Sequence, residues 1–144
     1  SKFSHACTMR RILEHCPIQQ VGIRALSIEE HQFIKDNGIQ PHYGEKLDFG
    51  PSSIPRIIGS LSTNVYISID LDVLDPSIMS AVGTPEPGGL LWQDTLTLLK
   101  LVAQNRSIVG FDVMELCPEQ GTDACAFLAA TLTYKLIGYS LIKS

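Results

Sequence analysis

Cysteine is sparse in this sequence and never closely paired. Four occur in 144 residues, at positions 7, 16, 117 and 125, and none forms a C-x-x-C pair. A disulfide scaffold would be denser and loopier. The four therefore read as reduced thiols used for packing in a cytosolic protein. Positive charge is also short, with 11 Lys and Arg against 15 Asp and Glu and a net charge of -4. No basic field points to a nucleic-acid partner. No window approaches the ~18 uninterrupted apolar residues of a membrane span. No basic segment leads into an apolar stretch at the start, so no signal peptide is expected. Repeats and low-complexity tracts are absent. With 44% apolar and 18% charged residues, the composition is that of a folded chain rather than a disordered one. The length allows one domain at most.

What is present alternates between two periods. Residues 6–15 read as a helix that Pro17 ends. Residues 18–24, IQQVGIR, read as a short buried strand. Ser27 with Glu30 three residues on is a capping-box pattern for the next helix, and Gly38 is its stop. Residues 39–53 carry Pro, Gly, Asp and Ser and read as loop. SIPRIIGSLS predicts a short helix with Pro55 in its first turn. VYISID and SIVGFDVMEL are β-branched runs, as expected for strands covered on both faces. Residues 92–105 place Leu96, Leu99, Val102 and Ala103 on one helical face, and a long helix follows Gly121-Thr122-Asp123. No hairpin signal appears. The order implies an α/β fold with a parallel sheet.

One strand ends in an unusual way. VYISID runs into Asp70, Asp72 and Asp75, three carboxylates within six residues. In open α/β sheets functional groups gather beyond the carboxyl ends of strands. If the extended conformation persists, alternation puts Asp70 and Asp72 on one side. Two carboxylates so close cannot both ionise cheaply. A divalent cation removes the conflict, and hard oxygen ligands suit it. The bland alternative is that these aspartates cap loops and a helix after Pro76. An EF-hand fails, because its sixth and twelfth positions would be Asp75 and Ala81. A Mg-dependent phosphatase of the haloacid-dehalogenase type would use Asp70 as nucleophile and Asp72 as acid/base. Leu74-Asp75 fits the rest of that motif poorly.

The longer stretch SIDLDVLDPS, followed by GTPEPGGL, resembles the ureohydrolase family of arginases and agmatinases. FSHACTMRR, VGIR and FDVMELCPEQGTD resemble further family segments in the same order. The flavour is closer to agmatinases. Two departures stand out. Ser80-Ala81-Val82-Gly83-Thr84 replaces a common P-G-T-G-T, and the family's Gly-Gly-Asp-His and Asp-Ala-His-x-Asp motifs are missing. Those motifs carry four of the family's six metal ligands. The resemblance therefore implies the C-terminal half of a three-layer arginase-like fold over residues 1–144, with an exposed sheet edge where strands are missing.

It also implies a chemistry. Two Mn(II) ions share a bridging hydroxide that attacks a guanidinium carbon, releasing urea and an amine, with agmatine giving putrescine. Asp70 and Asp72 match the D-x-D ligands. Asp75 matches a loop-fixing position. His5 matches the histidine that passes a proton to the leaving amine. Glu115 matches the carboxylate that pairs with the guanidinium, and Thr84 a threonine lining its pocket. Asp112 is expected to be structural, Gly88-Gly89 to serve backbone conformation, and His15, His31 and His42 to be solvated. The partners implied are a small guanidino substrate and further copies of the chain, as a trimer or hexamer. Neither nucleic acid nor membrane is implied. The third reading is an inactive fragment or a partner-dependent subunit.

Overall fold

In the computed structural model, which describes residues 3–44, 47 and 53–142, helices and parallel strands alternate along the chain. The strands are β1 (Val21–Ile23), β2 (His42–Tyr43), β3 (Asn64–Asp70) and β4 (Ser107–Met114). The helices are α1 (Thr8–Ile12), α2 (Ile28–Asp36), α3 (Ser53–Ser60), α4 (Trp92–Asn105) and α5 (Asp123–Ser140). β1 pairs with β2 and β3 with β4, both parallel, in two two-stranded sheets. The three expected strands are present. β2 is additional and sits in the stretch expected to be loop, because two residues are too few to show a period. Positions 45, 46 and 48–52 of that stretch lie outside the described residues, as does 143 of the expected final helix.

Local chemistry explains the helix ends. The Ser27 hydroxyl accepts the Glu30 N–H at 3.1 Å and the Glu30 carboxylate accepts the Ser27 N–H at 2.8 Å. That satisfies two of the donors a helix start leaves open. Gly38, at φ +63°, turns the chain out of α2 in the left-handed region that glycine enters freely. The first helix is shorter than expected. A 3₁₀ turn (His5–Cys7) leads into α1, and turns carry the chain on to Cys16.

The expected face of α4 is buried at Leu99, Val102 and Ala103, joined by Thr95 and Leu98, while Leu96 is half-buried. The expectation that β3 is covered on both faces is not met. Val65 and Ile69 are buried, whereas Tyr66, Ser68 and Asp70 on the alternate face are exposed. Side chains alternate along a strand, so helices on one face cover only every second residue. The thiols divide likewise: Cys125 is buried, Cys7 and Cys117 are half-buried, and Cys16 is exposed, so packing does not explain Cys16. His42 is half-buried on β2 rather than solvated, and burial first, then Arg56, lowers its pKa. His15 and His31 are exposed.

The largest apolar cluster lies beneath the carboxyl end of β3. Leu71, Leu74, Met79, Ala81 and Val82 are all but sealed from solvent, packed with Leu132 and Leu136 of α5. Burying a leucine-sized side chain is worth roughly 1.5–3 kcal/mol. The segment bearing the aspartates is therefore anchored by its own apolar residues. Among the described residues, no helix is long and apolar enough to cross a membrane.

Candidate functional site

β3 ends at Asp70 and passes into a 3₁₀ turn (Leu71–Val73). Asp70 caps that turn, its Oδ1 accepting the Asp72 N–H at 2.9 Å. The turn interrupts the extended chain, so strand alternation is not what brings the first two aspartates together. The turn sends Leu71 and Leu74 into the core and leaves Asp70 and Asp72 nearer the surface. No helix forms after Pro76. A single turn follows, with the N–H groups of Ile78 and Met79 donating to the Asp75 carbonyl at 2.9 and 3.0 Å.

Asp70 reaches solvent as a residue, yet the protein packed around its carboxyl raises its pKa. The nearby Asp72 and Glu115 carboxylates push it further up, while the Asp72 N–H and Arg24 oppose them. Glu115 thus stands within electrostatic reach of Asp70. The register explains why, because Asp70 lies opposite Met114, the last residue of β4. Glu115 has φ +67°, the sole non-glycine residue with positive φ among the described residues. That conformation is costly for a side-chain-bearing residue and gathers at functional sites.

Asp72 is half-buried, and its Oδ2 accepts a hydrogen bond from Thr84 Oγ1. Its Oδ1 is buried and has no hydrogen-bond donor. A carboxylate oxygen held out of water without a donor is costly unless a cation satisfies it. Asp70 and Asp72 are hard oxygen donors of the kind divalent cations take. As a donor set they fit part of a metal site. Among the described residues, no group of three or more His, Cys, Asp and Glu could hold a metal.

His5 is exposed in its 3₁₀ turn (His5–Cys7), where its carbonyl accepts the Thr8 hydroxyl at 2.8 Å.

Asp75 serves the loop. Its Oδ1 accepts the Ser77 N–H at 3.0 Å, and its Oδ2 accepts Gly88 N–H at 2.9 Å and Gly89 N–H at 3.1 Å. The Ser77 hydroxyl and N–H, then the two glycine N–H groups, lower its pKa to about 2. Gly88 has φ +79°, and a Cβ on Gly89 would lie 2.4 Å from Leu74 C and Asp75 N. Because both glycine N–H groups are committed to Asp75, this Gly/Pro loop does not offer them to a phosphate. Asp112 joins β3 to β4, accepting Tyr66 Oη at 3.0 Å and Ser68 Oγ at 2.7 Å.

Arg24 was not singled out by sequence. Its guanidinium donates to the carbonyls of Asp72 at 2.7 Å, Val73 at 3.0 Å and Glu86 at 3.0 Å. The one available signal was a lone charge closing an apolar strand.

Residues 1–138 match a family model described as the arginase family. The chain is 40% identical over 138 residues to an N(1)-aminopropylagmatine ureohydrolase of Synechocystis, covering 94% of this chain and 45% of that protein. It is 33% identical over 141 residues to an agmatinase of Pyrococcus horikoshii, covering 97% and 49%. The structure of an agmatine ureohydrolase of Thermoplasma volcanium superposes with a TM-score of 0.83 at 32% identity, covering 97% of this chain and 48% of that one. The chain spans about half the length of the relatives it matches.

Proposed function

Because the chain belongs to the arginase family, we propose that it contributes the C-terminal part of a manganese-dependent hydrolase of linear guanidino compounds, agmatine foremost. Two Mn(II) ions are the cofactor of this reading, and Asp70 and Asp72 are the ligands this chain supplies. When bound, the metal contributes Lewis acidity and lowers the pKa of water, which makes a nucleophile available at neutral pH. The remaining ligands come from the family motifs that this sequence lacks.

The chain's own residues do the rest. Glu115 pairs with the guanidinium, whose forked N–H donors match a carboxylate. Thr84 lines the pocket and holds Asp72 by the hydrogen bond described above. His5 delivers a proton to the leaving amine nitrogen, a task suited to an imidazole near neutral pH. Urea and putrescine leave as products. The reading carries with it a cytoplasmic homo-oligomer, a trimer or hexamer, that engages neither nucleic acid nor membrane.

The observation that carries it is the buried, donor-less Asp72 Oδ1 beside Asp70, with Glu115 in electrostatic reach. The test is urea release by the natural-length protein with added Mn(II). Agmatine, N(1)-aminopropylagmatine, arginine and guanidinobutyrate are offered in turn. Agmatine is expected to turn over best. Failure to release urea from any of them, with metal shown to be bound, would sink the reading.

A partner-dependent subunit is the second reading. On that reading the missing ligands arrive on another polypeptide, and activity appears only on mixing.

A further inference from the structure

Arg24 follows β1, and its side chain reaches away from that strand into two loops. All four of its terminal N–H donors are used on backbone carbonyls. Nη1 takes Gly22 O at 3.4 Å and Val73 O at 3.0 Å, and Nη2 takes Asp72 O at 2.7 Å and Glu86 O at 3.0 Å. These carbonyls belong to three segments: β1 itself, the aspartate turn, and the loop that carries Thr84 and the two glycines.

The surroundings are shaped around this side chain. A Cβ on Gly44 would lie 3.0 Å from Arg24 Cγ and 3.4 Å from Cδ. A Cβ on Gly22, at φ +82°, would lie 2.4 Å from Val73 Cγ2. Gly22 therefore lets the aspartate turn lie close against β1, and Gly44 lets the end of β2 lie close against the arginine stem.

A planar guanidinium is suited to this work. Its donors are fixed in direction, so carbonyls bound on both arms are held in one geometry. An ammonium is a single point with no fork and cannot hold carbonyls from both loops in that way.

We propose that Arg24 is the positioning residue of the site: it locks the aspartate turn to the 84–90 loop and so sets where the Asp72 carboxylate meets Thr84. Its importance for metal binding rests on the functional reading above. The lock itself rests on the four hydrogen bonds.

The test compares Arg24→Met and Arg24→Lys with Arg106→Met in the natural-length protein. Arg106 is a matched control, since it also donates to backbone carbonyls, those of Leu61 at 3.1 Å and Ile58 at 2.6 Å, away from the site. Hydrogen exchange is measured first, without metal. Arg24→Met is expected to speed exchange at least ~10-fold at the N–H groups of Asp72, Leu74, Asp75, Gly88, Gly89 and Leu90, while the β3–β4 ladder is unchanged. Mn(II) affinity is then expected to fall about 10-fold, the scale seen when the supports of metal ligands are removed. Arg24→Lys should recover part of both effects, and Arg106→Met should show neither.

Unchanged exchange at those six positions overturns the proposal. So does a rise spread evenly over the molecule, which is mere loss of global stability. If Arg24→Met does not fold, the same local-against-global comparison is made on Arg24→Lys. If the unsubstituted protein binds no Mn(II), the functional reading fails, and the exchange pattern alone decides the lock.

Discussion

The Thr84 hydroxyl donates to Asp72 Oδ2 across twelve residues of chain, joining the loop after Gly83 to the turn after β3. That bond uses one oxygen of Asp72 and leaves the other, buried Oδ1 without a donor. Thr84→Val is expected to remove the bond with little change of shape. A single hydrogen bond contributes about 1 kcal/mol to stability, so the melting midpoint should move little. Urea release by the natural-length enzyme should fall at least ~10-fold, since an electrostatic contact at a reacting centre is worth more than the same contact elsewhere. Thr84→Ser should retain most activity. Equal activity in Thr84→Val and the unsubstituted enzyme would remove Thr84 from the site.

The three aspartates should separate by role. Asp70→Asn and Asp72→Asn are expected to lose metal and activity, because an amide keeps the shape of the ligand and not its charge. Asp75→Asn should keep metal and lose stability. Elemental analysis decides the first point, and full Mn occupancy in both ligand variants would show the cluster to be misassigned. Denaturation over a range of pH decides the second. Asp75 has its pKa lowered from 3.8 to about 2. A depressed carboxylate adds stability that is fully present above its unfolded value and is lost as pH falls through the folded one. The stability gap between the unsubstituted protein and Asp75→Asn should therefore be constant near neutrality and close between about pH 4 and pH 2.

Glu115 combines two properties that substitution can split. Its positive φ is strained for glutamate and unstrained for glycine. Glu115→Gly is expected to fold as well as the parent or to gain about 1 kcal/mol, because the strain is relieved. Glu115→Gln keeps both strain and shape and should leave stability unchanged. Both variants should lower kcat/KM for agmatine at least ~100-fold, since the charge proposed to meet the guanidinium is gone. A Glu115→Gln variant of full activity would show that the conformation, and not the carboxylate, is what this position supplies.

Residues 1–144 on their own are expected to bind Mn(II) weakly, if at all, and to leave agmatine intact. Two aspartates hold one ion loosely, and the remaining coordination falls to water. Holding two dications a few ångströms apart needs the charge of further ligands. Titration calorimetry with Mn(II), followed by urea release at saturating metal, measures both. Tight binding of two ions per chain would mean that this chain supplies the missing ligands itself. His15, His31 and His42 would then be the first to replace.

The sequence alone was enough for the α/β order, the Ser27–Glu30 capping box, the Gly38 stop, the aspartates at a strand end and the family. Each is written locally, in the spacing of apolar residues or in side chains a few positions apart. β2 escaped because two residues carry no period. The open face of β3 is written in the alternation of Val65, Ile67 and Ile69 with Tyr66, Ser68 and Asp70, and reading the run as continuously β-branched passes over it.

The contacts among these residues were decided by the tertiary structure. Asp72 and Thr84 are legible as candidates, but their contact is not. Arg24 is invisible as a hub because three of its four partners are carbonyls 48 to 62 residues away, and every residue carries the same carbonyl. The strain at Glu115 is a backbone angle set by the chain leaving β4, and no residue type announces it. Side-chain chemistry is written in the sequence, but which backbone groups it meets is fixed only when distant segments pack together.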